Sequence, residues 1–164
     1  MSTNTPVLSL EEFQEVLPPQ GRLIGLDLGT KTIGLAMSDI GRKIATPLET
    51  IKRKKFTLDT DRLLELCQIH EVIGLVLGLP LNMDGTEGPR VQSTKAFARN
   101  LAQRTELPMA FWDERLSTAA VTRTLIDADR SRARRAELVD KMAASYILQG
   151  LLDRLQLGGT SFFD

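Results

Sequence analysis

Residues 22–38 read Arg22-Leu23-Ile24-Gly25-Leu26-Asp27-Leu28-Gly29-Thr30-Lys31-Thr32-Ile33-Gly34-Leu35-Ala36-Met37-Ser38. Two apolar runs of strand length flank Gly29-Thr30, so the stretch predicts an antiparallel hairpin with strands over 23–28 and 32–38. Asp27 is out of place in the first run. A carboxylate among apolar neighbours is costly unless it is paired or binds a cation. The plainer reading is that Asp27 ends the strand and caps the Gly29 turn, and position alone does not separate the two. Gly29 and Gly34 lack Cβ atoms, which lets backbone or phosphate come close. The spacing is not that of a dinucleotide-binding fingerprint, and no GxxxxGK[ST] phosphate loop occurs in the chain.

Working outward, a third strand is expected from 43 to 47, extending toward 51, which completes an antiparallel meander. Asp59 or Thr60 is expected to cap a helix running to His70. The continuous apolar run from Val72 to Leu77 predicts a strand covered on both faces. A long loop over 78–88, carrying the Asp84-Gly85 turn signal, leads to Pro89, which suits the first turn of a helix reaching about 105. A fifth strand is expected over 108–112 and a helix from Ser117 to about 128. The last helix is expected over 135–155. Its buried stripe is Val139, Met142, Ala143, Tyr146, Ile147, Gly150 and Leu151. Upstream, Ser9 and Glu12 have capping-box spacing for a short helix with Leu10, Phe13 and Leu17 on one face. Residues 1–8 are expected to lack regular structure. The organisation expected is an extension with a docking helix (1–21), one α/β domain (22–155) and a tail (156–164). The sheet is expected to be five-stranded and mixed, strands 1–3 antiparallel and strands 4 and 5 parallel, with helices on both faces.

The chain has 164 residues, 42% of them hydrophobic and 26% charged, which fits one globular domain with a real core. Its 21 basic and 21 acidic residues cancel, which argues against a strong nonspecific polyanion binder. The sum hides a distribution. Residues 1–21 carry Glu11, Glu12 and Glu15 and no lysine or arginine, so the remainder has a basic surplus of three. Lys52-Arg53-Lys54-Lys55 and Arg130, Arg132, Arg134 and Arg135 form two basic clusters, either solvated surface or phosphate tracks. The single cysteine, Cys67, excludes an internal disulfide and reads as a small buried hydrophobe; the single histidine, His70, makes a Ser-His-Asp triad improbable. No apolar run approaches the roughly 18–20 residues of a membrane span, so a cytoplasmic protein without a membrane partner is expected.

Two further acidic features stand out. Asp113-Glu114, followed by Arg115, ends the fifth strand. Alternation sends neighbours to opposite faces, so one of the pair is expected at any shared site. The plainer reading is a surface strand end with a salt bridge to Arg115. Asp140 lies on the last helix, followed by Ala143, Ala144 and Ser145, small residues that allow close approach to the sheet; a solvated helix flank is its plainer reading. Together, Asp27, Asp113 or Glu114, and Asp140 fit one demand. Phosphodiester hydrolysis by two cations roughly 3.5–4 Å apart needs three or four carboxylates, and an all-oxygen ligand set suits Mg²⁺ or Mn²⁺.

Four runs, 25–34, 78–87, 113–118 and 139–144, resemble in order the motifs of the YqgF/RuvX family, over about residues 22–155. These are Holliday-junction-resolvase-like nucleases linked to maturation of the 5′ end of pre-16S ribosomal RNA. The resemblance implies an RNase H-like fold and a nuclease with Asp27, Glu114 and Asp140 as metal ligands, and Asp113 as the alternative to Glu114. Lys31, Asn82, Arg90, Arg115 and Lys141 become the expected contacts to nucleic acid. The implied partners are structured RNA, namely pre-16S rRNA in a ribosomal precursor particle, or branched DNA, bound by a monomer or homodimer. A factor that retains the fold without catalysis is the remaining alternative. The hairpin also resembles that of actin and Hsp70-type ATPases, but the chain is less than half their length and has no second aspartate-glycine hairpin. One departure matters. Related resolvases end the fourth strand with an acid, whereas this chain has Gly78-Leu79-Pro80. Glu114, two strands from Asp27, must then bridge about 9–10 Å, or Asp84 or Glu87 must reach in from the loop.

Overall fold

The computed structural model describes residues 7–116 and 132–159, with backbone only for 132–141 and 158–159. The expected hairpin forms β2 (Arg22–Leu28) and β3 (Thr32–Ser38), antiparallel, with Asp27 opposite Gly34. β4 (Ala45–Lys52) continues the meander. β5 (Val72–Leu79) pairs in parallel with β2, and β6 (Met109–Asp113) in parallel with β5. This is the mixed arrangement expected of an RNase H-like domain. The sheet has six strands rather than five, because Val7–Leu8, expected to lack regular structure, adds as β1 beside β6, giving the order β1-β6-β5-β2-β3-β4. Val7 and Leu8 are the apolar end of an otherwise polar segment, and each packs against one of the two cores.

Helix α1 (Leu10–Val16) starts on the Ser9–Glu12 capping box, with both reciprocal bonds made. Helix α2 (Phe56–Ile69) begins earlier than expected. Asp59 does not stand at its N-cap. It sits inside the first turn, its carboxylate accepting from the Lys54 N–H, while Thr60 donates back to the Phe56 carbonyl. The pull toward the earlier start is Phe56, which meets Phe97 edge-on with ring centroids 5.2 Å apart. Helix α3 (Pro89–Leu101) starts on its proline as expected. Helix α4 (Arg132–Gly159) spans the expected last helix and extends past it at both ends. The helix expected from Ser117 lies outside the described residues, as do Arg130 and the side chains of Arg132, Arg134, Arg135 and Val139.

Strand alternation splits the core into two layers. Ile24, Leu26, Ile33, Leu35, Leu75, Leu77 and Met109 face α2 and α3. Leu23, Ala36, Val76, Ala110 and Trp112 face α1 and α4, where Phe13, Ala144, Ile147, Leu148 and Leu151 meet them. Cys67 is buried as expected, and desolvation pushes its thiol up to about 12. Among the described residues no helix is long and apolar enough to cross a membrane.

The placement of α4 decides what lies near Asp27. Gly25 has no side chain because α4 occupies its space: a Cβ there would lie 2.8 Å from Leu148 Cβ and 3.2 Å from the Ala144 carbonyl. At its other end α4 meets the β3–β4 turn, where Gln156 donates to the Arg42 carbonyl and Arg42 in turn donates to Gly21, just before β2. Helix α4 therefore runs antiparallel to β2, its N-terminal half directed toward the end of the strand that carries Asp27.

Candidate active site

Asp27 follows Leu23 and Gly25 on the α4 side of β2, one residue beyond the last position paired with β5, Leu26 with Leu77. It is buried, with 8% of its surface exposed. Glu114 opens a 3₁₀ turn (Glu114–Leu116) directly after β6 and is more deeply buried, at 4%. Both residues interact with neighbours, and a buried carboxylate is costly unless it is paired or binds a cation.

The gap across β5 is closed by a glycine. Gly78 pairs with Trp112 on β6 and has its missing side chain on the α4 face. A Cβ at Gly78 would lie 3.2 Å from Glu114 Cγ and 2.5 Å from Ile147 Cδ1. The Glu114 side chain therefore lies back over β5, the strand between β6 and β2, on the face that holds Asp27. Gly78, at the Gly78-Leu79-Pro80 end of the strand, is the seat over which Glu114 reaches.

Asp113 goes the other way. It follows Met109 and Phe111 on the α2–α3 face and is clamped by Arg115, whose Nε is 3.1 Å from both carboxylate oxygens and whose Nη2 is 2.7 Å from Oδ2. These bonds hold the Asp113 carboxyl below its usual range and raise the guanidinium. Arg115 Nη1 donates to the Met83 carbonyl, tying β6 to the 80–88 loop. That loop is built on itself: the Asn82 and Thr86 backbones bond, Asn82 Nδ2 donates to Thr86 Oγ1, and Asp84 accepts from the Thr86 N–H and hydroxyl. Gly85 supplies the left-handed backbone of the turn, at φ +88°. Asp84 is drawn below its usual range by Thr86 and then by Arg115. Glu87 turns to Lys95, 2.7 Å away, and Gln92. Asp84 and Glu87 are thus occupied within the loop and along α3.

Asp140 stands four residues, one helical turn, before Ala144, toward the Asp27 end of the sheet; its side chain and that of Lys141 lie outside the described residues. Among the described residues no three acidic, histidine or cysteine side chains cluster at metal-binding distance. The donors that do share the α4 face, Asp27 and Glu114, are carboxylates, a donor type that suits Mg²⁺ or Mn²⁺. Lys31 is exposed at the hairpin tip, and Arg90 in the first turn of α3 donates to the Leu28 carbonyl at 3.2 Å. In the sequence, Gly78 reads only as a departure and Arg53 only as part of a charge run. The structure brings Arg53 to the same turn, 2.6 Å from the Gly29 carbonyl. A cation that reaches from its own strand end to a distant turn leaves no sequence signal.

Fold and site thus define a mixed α/β domain with two buried carboxylates on one face at the ends of two parallel strands. The chain belongs to the RuvX family, whose model, described as Holliday junction resolvase, matches residues 21–154. Its curated relatives include proteins named "Putative pre-16S rRNA nuclease". That of Beijerinckia indica is 63% identical over 151 residues, covering 92% of both chains. That of Ruegeria sp. (strain TM1040) is 61% identical over 148 residues, covering 90% of this chain and 94% of its own. Among solved structures, Thermus thermophilus RuvC in complex with a Holliday junction substrate aligns over 82% of this chain and 96% of its own, with 13% identity and a TM-score of 0.49.

Proposed function

We propose that the protein is a divalent-metal-dependent endonuclease that hydrolyses a phosphodiester in the 5′ region of pre-16S rRNA. The observation that carries this is the Glu114 side chain laid over Gly78 on the Asp27 face, together with α4 directing Asp140 toward the same end of the sheet. The names of the 60%-identical relatives supply the substrate. Asp27, Glu114 and Asp140 would hold Mg²⁺ or Mn²⁺, two ions in the fullest form of the site. Bound there, such cations would activate water and neutralise charge on the leaving oxygen. The chain's own part is positional. The sheet fixes Asp27, the seat at Gly78 fixes Glu114, and the Arg115 clamp keeps Asp113 out of the site and fastens the neighbouring loop. Lys31, Asn82, Arg90, Arg115 and Lys141 are the proposed contacts to nucleic acid. The protein would act on the ribosomal precursor particle in the cytoplasm.

The test is cleavage of pre-16S rRNA by purified protein in Mg²⁺ or Mn²⁺, beside Asp27→Asn, Glu114→Gln and Asp140→Asn proteins of unchanged melting temperature. Cleavage that the chelator EDTA and each substitution abolish is expected; equal cleavage by Asp27→Asn removes the mechanism. A four-way DNA junction belongs in the same assay, because the family description favours that substrate as the second reading. Paired, symmetric cleavage of the junction in preference to RNA would establish it.

A further inference from the structure

On the α3 side of the hairpin, opposite the face of Asp27, a cavity of about 150 Å³ opens between the Gly29-Thr30 turn, Arg53, and Arg90, Ser93 and Phe97 of α3. Its two guanidinium groups converge. Arg53 Nη1 donates to the Gly29 carbonyl at 2.6 Å, and Arg90 Nη2 to the Leu28 carbonyl at 3.2 Å. Arg53 also lies over the Phe97 ring, 5.8 Å from its centroid, which pins it in place. The ion pairs of the described residues include neither arginine. Each guanidinium has five N–H donors and spends one on a backbone carbonyl, so two like charges line one small cavity with most of their donors uncommitted. A planar fork of this kind matches the oxygens of a phosphate group. The wall of the cavity is the chain that directly follows Asp27.

We propose that this cavity is a phosphate subsite for the RNA strand, in which Arg53 and Arg90 hold a phosphate neighbouring the one at the acidic face. The proposal rests on the nuclease reading for its substrate and not for its chemistry. Strand and site then share one support, the end of β2, so a nucleic acid crossing that end is gripped on one side and presented to the carboxylates on the other.

The experiment measures binding of fluorescently labelled single-stranded RNA by anisotropy across a salt series, in EDTA so that nothing is cleaved. For a single strand, every phosphate that the protein ceases to neutralise lowers the slope of log K against log salt by about 0.7. Arg53→Gln/Arg90→Gln is expected to lower the slope by at least that amount. Arg53→Lys/Arg90→Lys, which keeps charge but not the fork, is expected to keep the slope and weaken binding. Arg99→Gln, exposed farther along α3, serves as control and is expected to change neither. RNA with a 5′-phosphate and with a 5′-hydroxyl separates the two sources of the group: equal loss on both assigns an internal phosphodiester, and loss on the first alone assigns the chain end. An unchanged slope in the double glutamine variant, or wild-type binding indifferent to salt, overturns the subsite. The same preparations assayed for cleavage keep the two readings apart. Cleavage with a slope insensitive to Arg53 and Arg90 removes only the subsite, and a sensitive slope without cleavage removes only the nuclease.

Discussion

In the proposed site the reach of Glu114 depends on one methylene. Its Cγ rests over Gly78, on the face of the sheet that holds Asp27. Glu114→Asp keeps the charge and retracts it. A misplacement of about 1 Å can cost about 100-fold in rate, so kcat is expected to fall by that order with the melting temperature little changed; wild-type kcat in this variant would show that reach is irrelevant. Asp113 illustrates the opposite role. Its carboxyl is lowered by the hydrogen bonds and charge of Arg115, so its folded pKa lies below the unfolded one. The stability this contributes is present above the ordinary value of 3.8 and is lost as pH falls through the lowered folded value. The pair is partly exposed, at 29% and 21%, and screening limits it to about 1 kcal/mol. Asp113→Asn is expected to cost that much in urea denaturation at neutral pH, and the gap from wild type is expected to narrow in acid. A gap that widens in acid would contradict the assignment.

At the scale of elements, the α4 face of the sheet is organised by absent side chains. Gly25 admits α4, Gly78 admits Glu114 and Ile147, and Gly74 admits Phe13 and Leu17 beneath them. Gly25→Ala would drive a Cβ into Leu148 Cβ and the Ala144 carbonyl, neither of which is a flexible chain end. Overpacking of this kind costs about 1–3 kcal/mol, and urea denaturation is expected to show it; an alanine variant as stable as wild type would mean that α4 can lift off the sheet freely. These packing relations explain what was legible in the sequence. The hairpin over 23–38, the β5 run and the Pro89 start are local patterns of alternation, apolarity and proline chemistry, and they appear where expected. The two buried carboxylates were legible as misfits in or at the end of apolar strands. What was not legible depends on partners distant in the chain. The early start of α2 follows from Phe56 meeting Phe97, and the role of Gly78 follows from a glutamate 36 positions later. Val7–Leu8 is too short to show a period, and only the neighbouring β6 makes it a strand.

For the whole molecule, the first segment of the chain belongs to the fold's closure. Helix α1 seats the fully buried Phe13 against Gly74, and β1 pairs with β6. Truncating a buried phenylalanine alone costs about 3–5 kcal/mol, so a variant lacking residues 1–17 is expected to unfold at distinctly lower urea. Its molecular mass by light scattering is expected to rise with concentration more steeply than that of the full chain. Equal stability and equal mass would show the segment to be an ornament. The reason for the second expectation lies at the borders of the sheet. In the order β1-β6-β5-β2-β3-β4 the far border, β4, carries Pro47, which cannot donate to an added strand. The near border is covered by two residues of the chain itself. Those residues act as an intramolecular plug: they occupy part of the row of backbone groups that another molecule's strand would need, and so guard the domain against growing into a fibre.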